Sequence, residues 1–298
     1  MQRTSALHPS MTGNTLSGWI NGFIGVLIFS ASMPATRVAV QAFDPVFLTA
    51  ARATIAGALA LSLLAVFKAA RPTRHQVFSL LIVALGVVVG FPLLTALALQ
   101  HVTSAHSIVF LGLLPLSTAL FAVLRGGERP RPAFWVFSVL GSALVVTYAL
   151  SQGLTAAPAG DLLMFMAIIV CGLGYAEGAT LSRTLGGWQV ICWALVVSLP
   201  CMAILAVLLA PATFEGIGTP AWLGLGYISV FSMLIGFFFW YRGLALGGIA
   251  AVGQLQLLQP LFGLLLAATL LHEAVSLGMF GATGGVILCV LAAKKFAK

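Results

Sequence analysis

The sequence predicts an all-α integral membrane protein of ten transmembrane helices, arranged as two inverted five-helix repeats with both termini in the cytoplasm. The first observation is the composition: of 298 residues, 61% are hydrophobic and only 7% are charged, with a mean hydropathy of +1.12. Soluble domains carry about 25% charged residues, so this chain could not cover a water-exposed surface. At about 20 apolar residues per crossing, it has room for about ten helices.

The second observation is an apolar helix pattern that occurs twice, with a proline third and a glutamate last. It spans residues 113–128 (LLPLSTALFAVLRGGE) and 258–273 (LQPLFGLLLAATLLHE). Pro115 and Pro260 are 145 residues apart, and so are Glu128 and Glu273. An internal repeat of this kind indicates a chain built from two similar units. Because each unit holds five helices, an odd number, the second must cross the membrane upside down.

Apolar runs and their breaks place the individual helices. Asp44 and Pro45, for example, form an N-cap and a first-turn proline at the start of the second helix. The predicted helices are 18–35, 45–67, 77–99, 104–124, 133–150, 161–180, 189–210, 221–241, 248–271 and 275–293. The predicted units are an N-terminal tail at 1–17, a first repeat at 18–150, a linker at 151–160, a second repeat at 161–293 and a basic tail at 294–298.

The distribution of charge is the third observation. The net charge of +8 does not indicate nucleic-acid binding, because the basic residues stand singly or in threes at the ends of apolar runs. With the N-terminus inside, 12 of the 14 Lys and Arg residues fall on the inner side, as the positive-inside rule requires. Of the other two, Arg37 falls in an outer loop and Arg52 within the second helix.

The polar stretch before the first apolar run is too long for a signal peptide. We therefore expect a multi-pass protein of a bacterial-type inner membrane.

Residues 35–57, ATRVAVQAFDPVFLTAARATIAG, and the two Pro-to-Glu helices resemble the EamA-type branch of the drug/metabolite transporter superfamily. Two departures from its pattern stand in the second repeat: His272 replaces a glycine, and Trp188 and Leu195 replace the proline and the arginine of the second helix. The resemblance implies gradient-driven export or exchange of small metabolites. Among EamA-type proteins of this length, the best-studied comparison is with bacterial exporters of aromatic and neutral amino acids.

Inverted repeats are also the architecture of many secondary transporters, whose substrate site lies near the midplane where the repeats meet. We therefore expect a secondary active transporter that exports amino acids, neutral or aromatic, by alternating access. Transport of drugs or other small metabolites is the alternative, and a membrane enzyme or a scaffold is less favoured. The sequence has no HExxH, paired acids at depth or phosphate-binding loop, so we expect no catalysis, metal or cofactor. The expected partners are a small-molecule substrate and the bilayer, and the pattern is compatible with a monomer.

Four prolines are predicted to kink helices near mid-depth: Pro34, Pro92, Pro115 and Pro260. A proline inside a helix removes one backbone hydrogen bond, so the carbonyls of Leu111 and Gln256 are expected to lack a helical partner. Such a kink can line a cavity or act as a hinge. It can also be static, since proline is frequent in membrane helices.

Polar and aromatic residues at depth are the candidate substrate contacts: Ser30, Ser32, Arg52, Tyr175, Phe237, Gln256 and Gln259. Amides are unfavourable in lipid unless paired. Gln256 and Gln259, about 60° apart on a helix, therefore either hold the substrate or join helices. The serines can instead bond to their own backbone, Arg52 can pair with Asp44, and Phe237 can face lipid.

Three acids complete the candidates. Glu177 is the one acid predicted inside a helix, so it is the candidate for proton coupling, with pairing at the inner interface as the alternative. Glu128 and Glu273 mark the repeat. We interpret them as helix-end groups that accept hydrogen bonds from nearby backbone or from Arg125 or Arg129.

Overall fold

The computed structural model describes residues 11–102, 107, 110–151, 157–271 and 277–297, and every regular element within these ranges is helical. They form ten helical units, of which four change their backbone geometry part-way. In chain order these are α1 (Met11–Ser30, resuming at Ser32–Val40), α2 (Pro45–Val66), α3 (Arg74–Val83, a π-helical segment Ala84–Gly90, then Phe91–His101), α4 (Leu114–Leu124), α5 (Pro132–Leu150), α6 (Pro158–Leu185), α7 (Gly187–Leu208), α8 (Thr219–Tyr227, a π-helical segment Ile228–Ile235, then Gly236–Gly247), α9 (Ile249–Gly253, a 3-10 segment Gln254–Leu258, then Gln259–Leu271) and α10 (Leu277–Phe296).

Helix length and surface chemistry both match a bilayer. Among the described residues, six helices are long and apolar enough to cross a membrane: Thr15–Val40, Pro45–Val66, Arg74–His101, Pro158–Leu185, Gly187–Leu208 and Thr219–Gly247. Leu114–Leu124 and Pro132–Leu144 are shorter apolar helices. Large apolar side chains point outward, and Leu85, Val207 and Leu288 are 66%, 77% and 68% exposed. Lipid solvates such a surface, whereas water would not. The predicted all-helical membrane fold is confirmed.

The first helix is longer than the sequence predicted. It breaks at Ala31 and resumes to Val40, because Pro34 stands in the first turn of the second segment, where its missing N–H is not needed. Arg37, expected in an outer loop, therefore lies in the last turn of a helix. Its guanidinium Nη1 donates to the carbonyl of Leu99 in α3.

Helix α6 also runs past its predicted end. The apolar pattern stops near Thr180, yet the helix continues to Leu185 and ends at Gly186, whose φ of 91° favours glycine. Glu177 consequently lies well inside a long helix, with only 6% of its surface exposed.

The helices of the two repeats interlock. Helix α1 packs along α8 and α2 along α7, while α3 and α4 both pack along α6 and α5 along α10. When each helix is replaced by its counterpart in the other repeat, the α1–α8 contact becomes the α6–α3 contact. The packing of the helices therefore has the same symmetry as the repeat. Glycines permit the closest approaches: a Cβ added to Gly243 would lie 2.6 Å from the backbone nitrogen of Gly22, and one added to Gly86 would lie 2.7 Å from the carbonyl oxygen of Val170.

The irregular segments recur at equivalent places. A shift of 145 residues carries the last residue of Ala84–Gly90 onto the last residue of Ile228–Ile235. Pro115 and Pro260 are each the second residue of a new helical segment rather than a kink within a continuous helix. The carbonyl of Gln256 accepts the N–H of Gln259, so the prediction that it lacks a helical partner is wrong. The reason is that in 3-10 geometry a carbonyl accepts the N–H of the residue three positions later. The carbonyl of Gln256 therefore bonds to Gln259, the residue before Pro260, and does not need an N–H from the proline.

Candidate functional site

The repeats enclose a central cavity of about 30 Å³. Seven helices, α1, α2, α3, α4, α6, α8 and α9, contribute to its lining. The lining residues are Phe29, Ser32, Met33, Arg52, Val87, Phe91, Pro92, Leu114, Tyr175, Ser232, Phe237 and Gln259. A water molecule needs about 10–15 Å³ of such space, so the cavity has room for two or three waters at most. The structure is therefore closed around this site.

Irregular backbone surrounds the cavity. Val87 and Ser232 belong to the two π-helical segments, Ser32 follows the break in α1, and Gln259 follows the 3-10 segment. At membrane depth, such backbone is tolerated where it is buried in protein or lines a cavity. Mid-helix 3-10 and π segments frequently mark hinges and functional sites. Four of the seven lining helices, α1, α3, α8 and α9, thus contribute to the cavity at or beside an irregular segment.

The four predicted kink prolines share one relation to the cavity. Pro92 lines it directly. The residue that precedes each proline also lines it: Met33, Phe91, Leu114 and Gln259. The prolines were predicted from the sequence, whereas Met33 and Leu114 were not. Because a proline interrupts the helix just before itself, the preceding position was a signal that could have found them.

Among the described residues that line the cavity, Arg52 is the one that carries a charge. The residue is only 6% exposed, and its Nη2 donates to the carbonyl of Ile228 at 3.2 Å. Its Nε has no hydrogen-bond partner among the described residues. Asp44, the alternative partner, instead caps α2 by accepting from the backbone N–H groups of Val46 at 2.8 Å and Phe47 at 3.0 Å. Buried charges in proteins are normally paired, and this guanidinium keeps an N–H group that can donate to an anionic partner.

Aromatic rings form one wall of the cavity. The ring of Phe237 lies 5.1 Å from that of Phe29 and 5.9 Å from that of Tyr175, with Trp240 5.5 Å behind Tyr175. These centroid distances are typical of attractive aromatic pairs. The ring of Phe237 faces the protein interior, with 6% of the residue exposed, rather than lipid.

Neutral polar groups complete the lining. The hydroxyl of Ser32 donates to that of Ser232 at 2.8 Å and joins the two repeats across the cavity. The Nε2 of Gln259 donates to the carbonyl of Phe29 at 3.4 Å.

Two candidates lie outside the lining. The hydroxyl of Ser30 bonds to the carbonyl of Val26 in its own helix, at 2.7 Å. Gln256 is 1% exposed, and its amide has no partner in the described part of the chain.

A network of charges joins the repeats where α4 ends and α5 begins, which we name the α4–α5 end. Glu128 accepts from the backbone N–H groups of Ile249 at 2.7 Å and Ala250 at 2.8 Å, and from Arg183 at 3.1 Å. Sequence analysis expected a helix-end role for Glu128, but the helix that it caps is α9 in the other repeat. Its counterpart Glu273 lies outside the described residues.

The coupling candidate Glu177 belongs to the same network. Its Oε2 accepts from the Nε of Arg125 at 2.8 Å. This hydrogen bond, with the carboxylate charge, raises the pKa of Arg125. A groove of about 320 Å³ opens at this end beside Glu128, Arg129 and Arg183. In the described ranges, no group of three or more His, Cys, Asp or Glu side chains could hold a metal ion.

Comparison with known proteins agrees with this architecture. The model of the EamA-like transporter family matches the chain twice, over residues 16–148 and 158–293. The "Uncharacterized transporter YdeK" of Bacillus subtilis (strain 168) is 65% identical over 284 residues, which cover 95% of this chain and 99% of that protein. A solved structure, described only as a crystal structure of a protein, superposes with a TM-score of 0.77 and covers 93% of this chain and 98% of that one. At 22% identity, that likeness shows the fold alone.

Proposed function

This chain belongs to the EamA-like transporter family, and on that premise we propose that it is a secondary active exporter of neutral or aromatic amino acids. It works by alternating access around the central cavity. The observation that carries the proposal is a buried arginine without a carboxylate partner in the described part of the chain, facing an aromatic wall where the repeats meet. With the termini in the cytoplasm of a bacterial cell, the α4–α5 end faces inward.

An amino acid matches the chemistry of the cavity. Its carboxylate is placed at Arg52, whose planar guanidinium can donate two parallel hydrogen bonds. Its ammonium group is placed at neutral acceptors, the hydroxyls of Ser32 and Ser232 and the amide of Gln259. An aromatic or aliphatic side chain then contacts the rings of Phe29, Tyr175 and Phe237, which adds apolar burial. The positive charge of Arg52 disfavours cationic substrates.

Transport requires that the cavity open alternately to each side. The closed cavity is smaller than an amino acid, so binding must be coupled to helix movement. The irregular segments of α1, α3, α8 and α9 are the places where the lining can move. At the α4–α5 end, the pairs Glu128–Arg183 and Arg125–Glu177 join one repeat to the other. We place the inner gate there. Opening would release Glu177 from Arg125 and let it take up a proton, which keeps it the candidate for proton coupling.

A substrate panel in proteoliposomes tests the proposal. Purified protein is reconstituted, and counterflow of labelled phenylalanine, leucine and lysine and of a cationic dye is measured, with protein-free vesicles as the control. We expect phenylalanine and leucine to exchange, and lysine and the dye to exchange far more slowly. Absence of exchange for every amino acid would overturn the substrate assignment. Exchange of the dye alone would favour the drug-transporter alternative.

A further inference from the structure

Three buried polar residues outside the lining of the central cavity lie on three different helices, α4, α5 and α9. Thr118, Ser138 and Gln254 are each 0% exposed. The hydroxyl oxygens of Thr118 and Ser138, and both polar atoms of the Gln254 amide, have no hydrogen-bond partner among the described residues. None of the three lines the central cavity.

The three residues lie at one depth. Thr118 stands six residues before the end of α4 at Leu124, and Ser138 stands six residues after the start of α5 at Pro132. At 1.5 Å per residue, both lie about 9 Å from the α4–α5 end. Gln254 follows Ile249, the first residue of α9 at that end, by five residues. The side chains therefore occupy the same layer of three neighbouring helices.

Close contacts show that these helix faces meet. A Cβ added to Gly253 would lie 3.3 Å from Cγ2 of Thr118, so α9 touches α4 beside Gln254. A Cβ added to Gly141 would lie 2.6 Å from Cδ1 of Leu257, so α9 touches α5 one turn further along. Residues three apart in a 3-10 segment eclipse each other, which puts Gln254 on the same face as Leu257. That face meets α5 at the level of Ser138.

Polar groups buried without partners are destabilising, and the hydrocarbon core of a bilayer holds no water to satisfy them. The group offers two hydroxyl oxygens and one amide oxygen, and it carries no charge. Divalent cations in proteins favour carboxylate ligands, so the group does not suit them. Transporters with discontinuous helices use the freed carbonyls of such segments to coordinate Na⁺, and α9 loses its α-helical geometry at Gln254.

We infer that Thr118, Ser138 and Gln254 supply the side-chain ligands of a small monovalent cation, with sodium as the best match. The cation would join both repeats, since α4 and α5 belong to the first and α9 to the second. It would also hold the 3-10 segment that precedes Gln259 in the central cavity. Cation binding and substrate binding are then linked through α9, and such linkage is reciprocal. Only this linkage rests on the proposed function, because cation binding itself needs no substrate.

Thermal unfolding of the purified protein in detergent tests cation binding. Sodium chloride replaces choline chloride at constant ionic strength, with lithium and potassium chloride as further arms. A ligand of the folded state raises the unfolding midpoint with its concentration, so we expect a saturable rise with sodium. Thr118→Val and Ser138→Ala should each lose that rise. Ser198→Ala is the matched control, because its buried hydroxyl already bonds to the carbonyl of Ala194 at 2.9 Å.

The choline arm separates a ligand role from a structural one. Removal of a hydroxyl without a partner is near neutral when the shape is kept, so Thr118→Val in choline chloride should unfold no lower than the natural protein. Three results would overturn the inference: no saturable sodium effect, a sodium effect that both variants keep, or a lower Thr118→Val midpoint in choline chloride. Any of these would leave the three groups to ordered water.

The linkage is measured in the same proteoliposomes as the substrate panel. Sodium should raise the apparent affinity for phenylalanine in counterflow, and Thr118→Val should lose that effect while still exchanging phenylalanine. An affinity that stays unchanged when choline replaces sodium would overturn the linkage. If no amino acid exchanges, the proposed function fails while the thermal measurement still decides on cation binding.

Discussion

The two repeats use the same backbone devices but different side chains. The first repeat has a π-helical segment and a helical segment that begins with Leu-Pro. The second repeat has a π-helical segment and a segment that begins with Gln-Pro, each 145 residues later. Where the first repeat places Val87 and Leu114 at the cavity, the second places Ser232 and Gln259. The irregular backbone segments therefore match between the repeats, whereas the side chains that they bring to the cavity differ.

The ionisable groups show the same division. Arg52 has no counterpart, because Leu195 stands at the matching place in α7 and is fully buried. Ser32 and Glu177 are 145 residues apart, yet Ser32 lies at the cavity and Glu177 pairs with Arg125 at the α4–α5 end. Under the proposed function, backbone symmetry serves movement and side-chain asymmetry serves recognition. Each prediction below breaks one side of this comparison.

The largest effect is expected from the charge that only the first repeat has. Arg52→Gln removes charge-assisted hydrogen bonds worth about 1.5–3 kcal/mol, so the apparent affinity for phenylalanine should fall about 10- to 100-fold. Arg52→Lys should keep part of it. Counterflow titration measures the effect, with Arg242→Gln, an exposed arginine of α8, as the control. An unchanged phenylalanine affinity of Arg52→Gln would show that the guanidinium does not contact the substrate.

The next test breaks the packing that the repeats share. Gly243→Ala and Gly86→Ala force a methyl group against backbone at 2.6 Å and 2.7 Å, in the equivalent α1–α8 and α3–α6 contacts. Each should destabilise the fold by about 1–3 kcal/mol, as overpacking does. Thermal unfolding in detergent measures the effect. Gly226→Ala is the control, since its Cβ would meet nothing within 4 Å. A large effect at only one contact would contradict the structural symmetry.

Glu128→Gln tests the inner gate. The variant keeps the shape but loses the charge that holds two N–H groups and Arg183, bonds worth about 1.5–3 kcal/mol each when charged. We expect the α4–α5 end to open more often. The readout is the rate at which a membrane-impermeant thiol reagent labels Val87→Cys in the cavity from that side, with the exposed Cys201 replaced by serine. Equal labelling rates with and without the Glu128→Gln substitution would show that the network does not close the cavity.

Glu177→Gln separates two roles of one acid. If the carboxylate carries the coupling proton, as we propose, a pH gradient should no longer accelerate phenylalanine export, while counterflow without a gradient continues. The same variant should also label faster at Val87→Cys, because the pair with Arg125 is lost. An unchanged response to the pH gradient would show that Glu177 does not carry the coupling proton and acts only in closing the α4–α5 end. Arg125→Gln is the control, since it breaks the pair and keeps the acid.

The smallest effect is expected at the hydroxyl pair that joins the repeats. Ser32→Ala removes the bond to Ser232, and a neutral hydrogen bond is worth about 0.5–1.5 kcal/mol. The apparent phenylalanine affinity should fall a few-fold. Ser30→Ala, which removes a bond within α1 only, should change it less. A larger effect of Ser30→Ala would contradict the assignment of Ser32 to the cavity.

Local sequence signals predicted much of the fold. Lipid leaves backbone groups without partners, so a chain this apolar must form helices, and their number follows from the length. Asp44 and Pro45 start α2 as the capping rules require. The prolines indicated where the helices change direction. The same local rules misplaced the ends of α1 and α6, because a proline in a first turn and a glycine of positive φ were decisive there.

Tertiary structure decided which of the predicted residues meet. Arg52 and Tyr175 face one cavity although more than a hundred positions separate them, while Ser30, two residues from Ser32, does not line it. Glu128 caps α9 rather than a neighbouring turn. These contacts depend on helix rotation and on glycine-sized gaps between helices, which no local periodicity encodes. The sequence by itself determined that there would be two inverted sets of apolar helices, because solvation by lipid acts on each segment separately. Packing between distant segments alone determined the cavity and the charge network at the α4–α5 end.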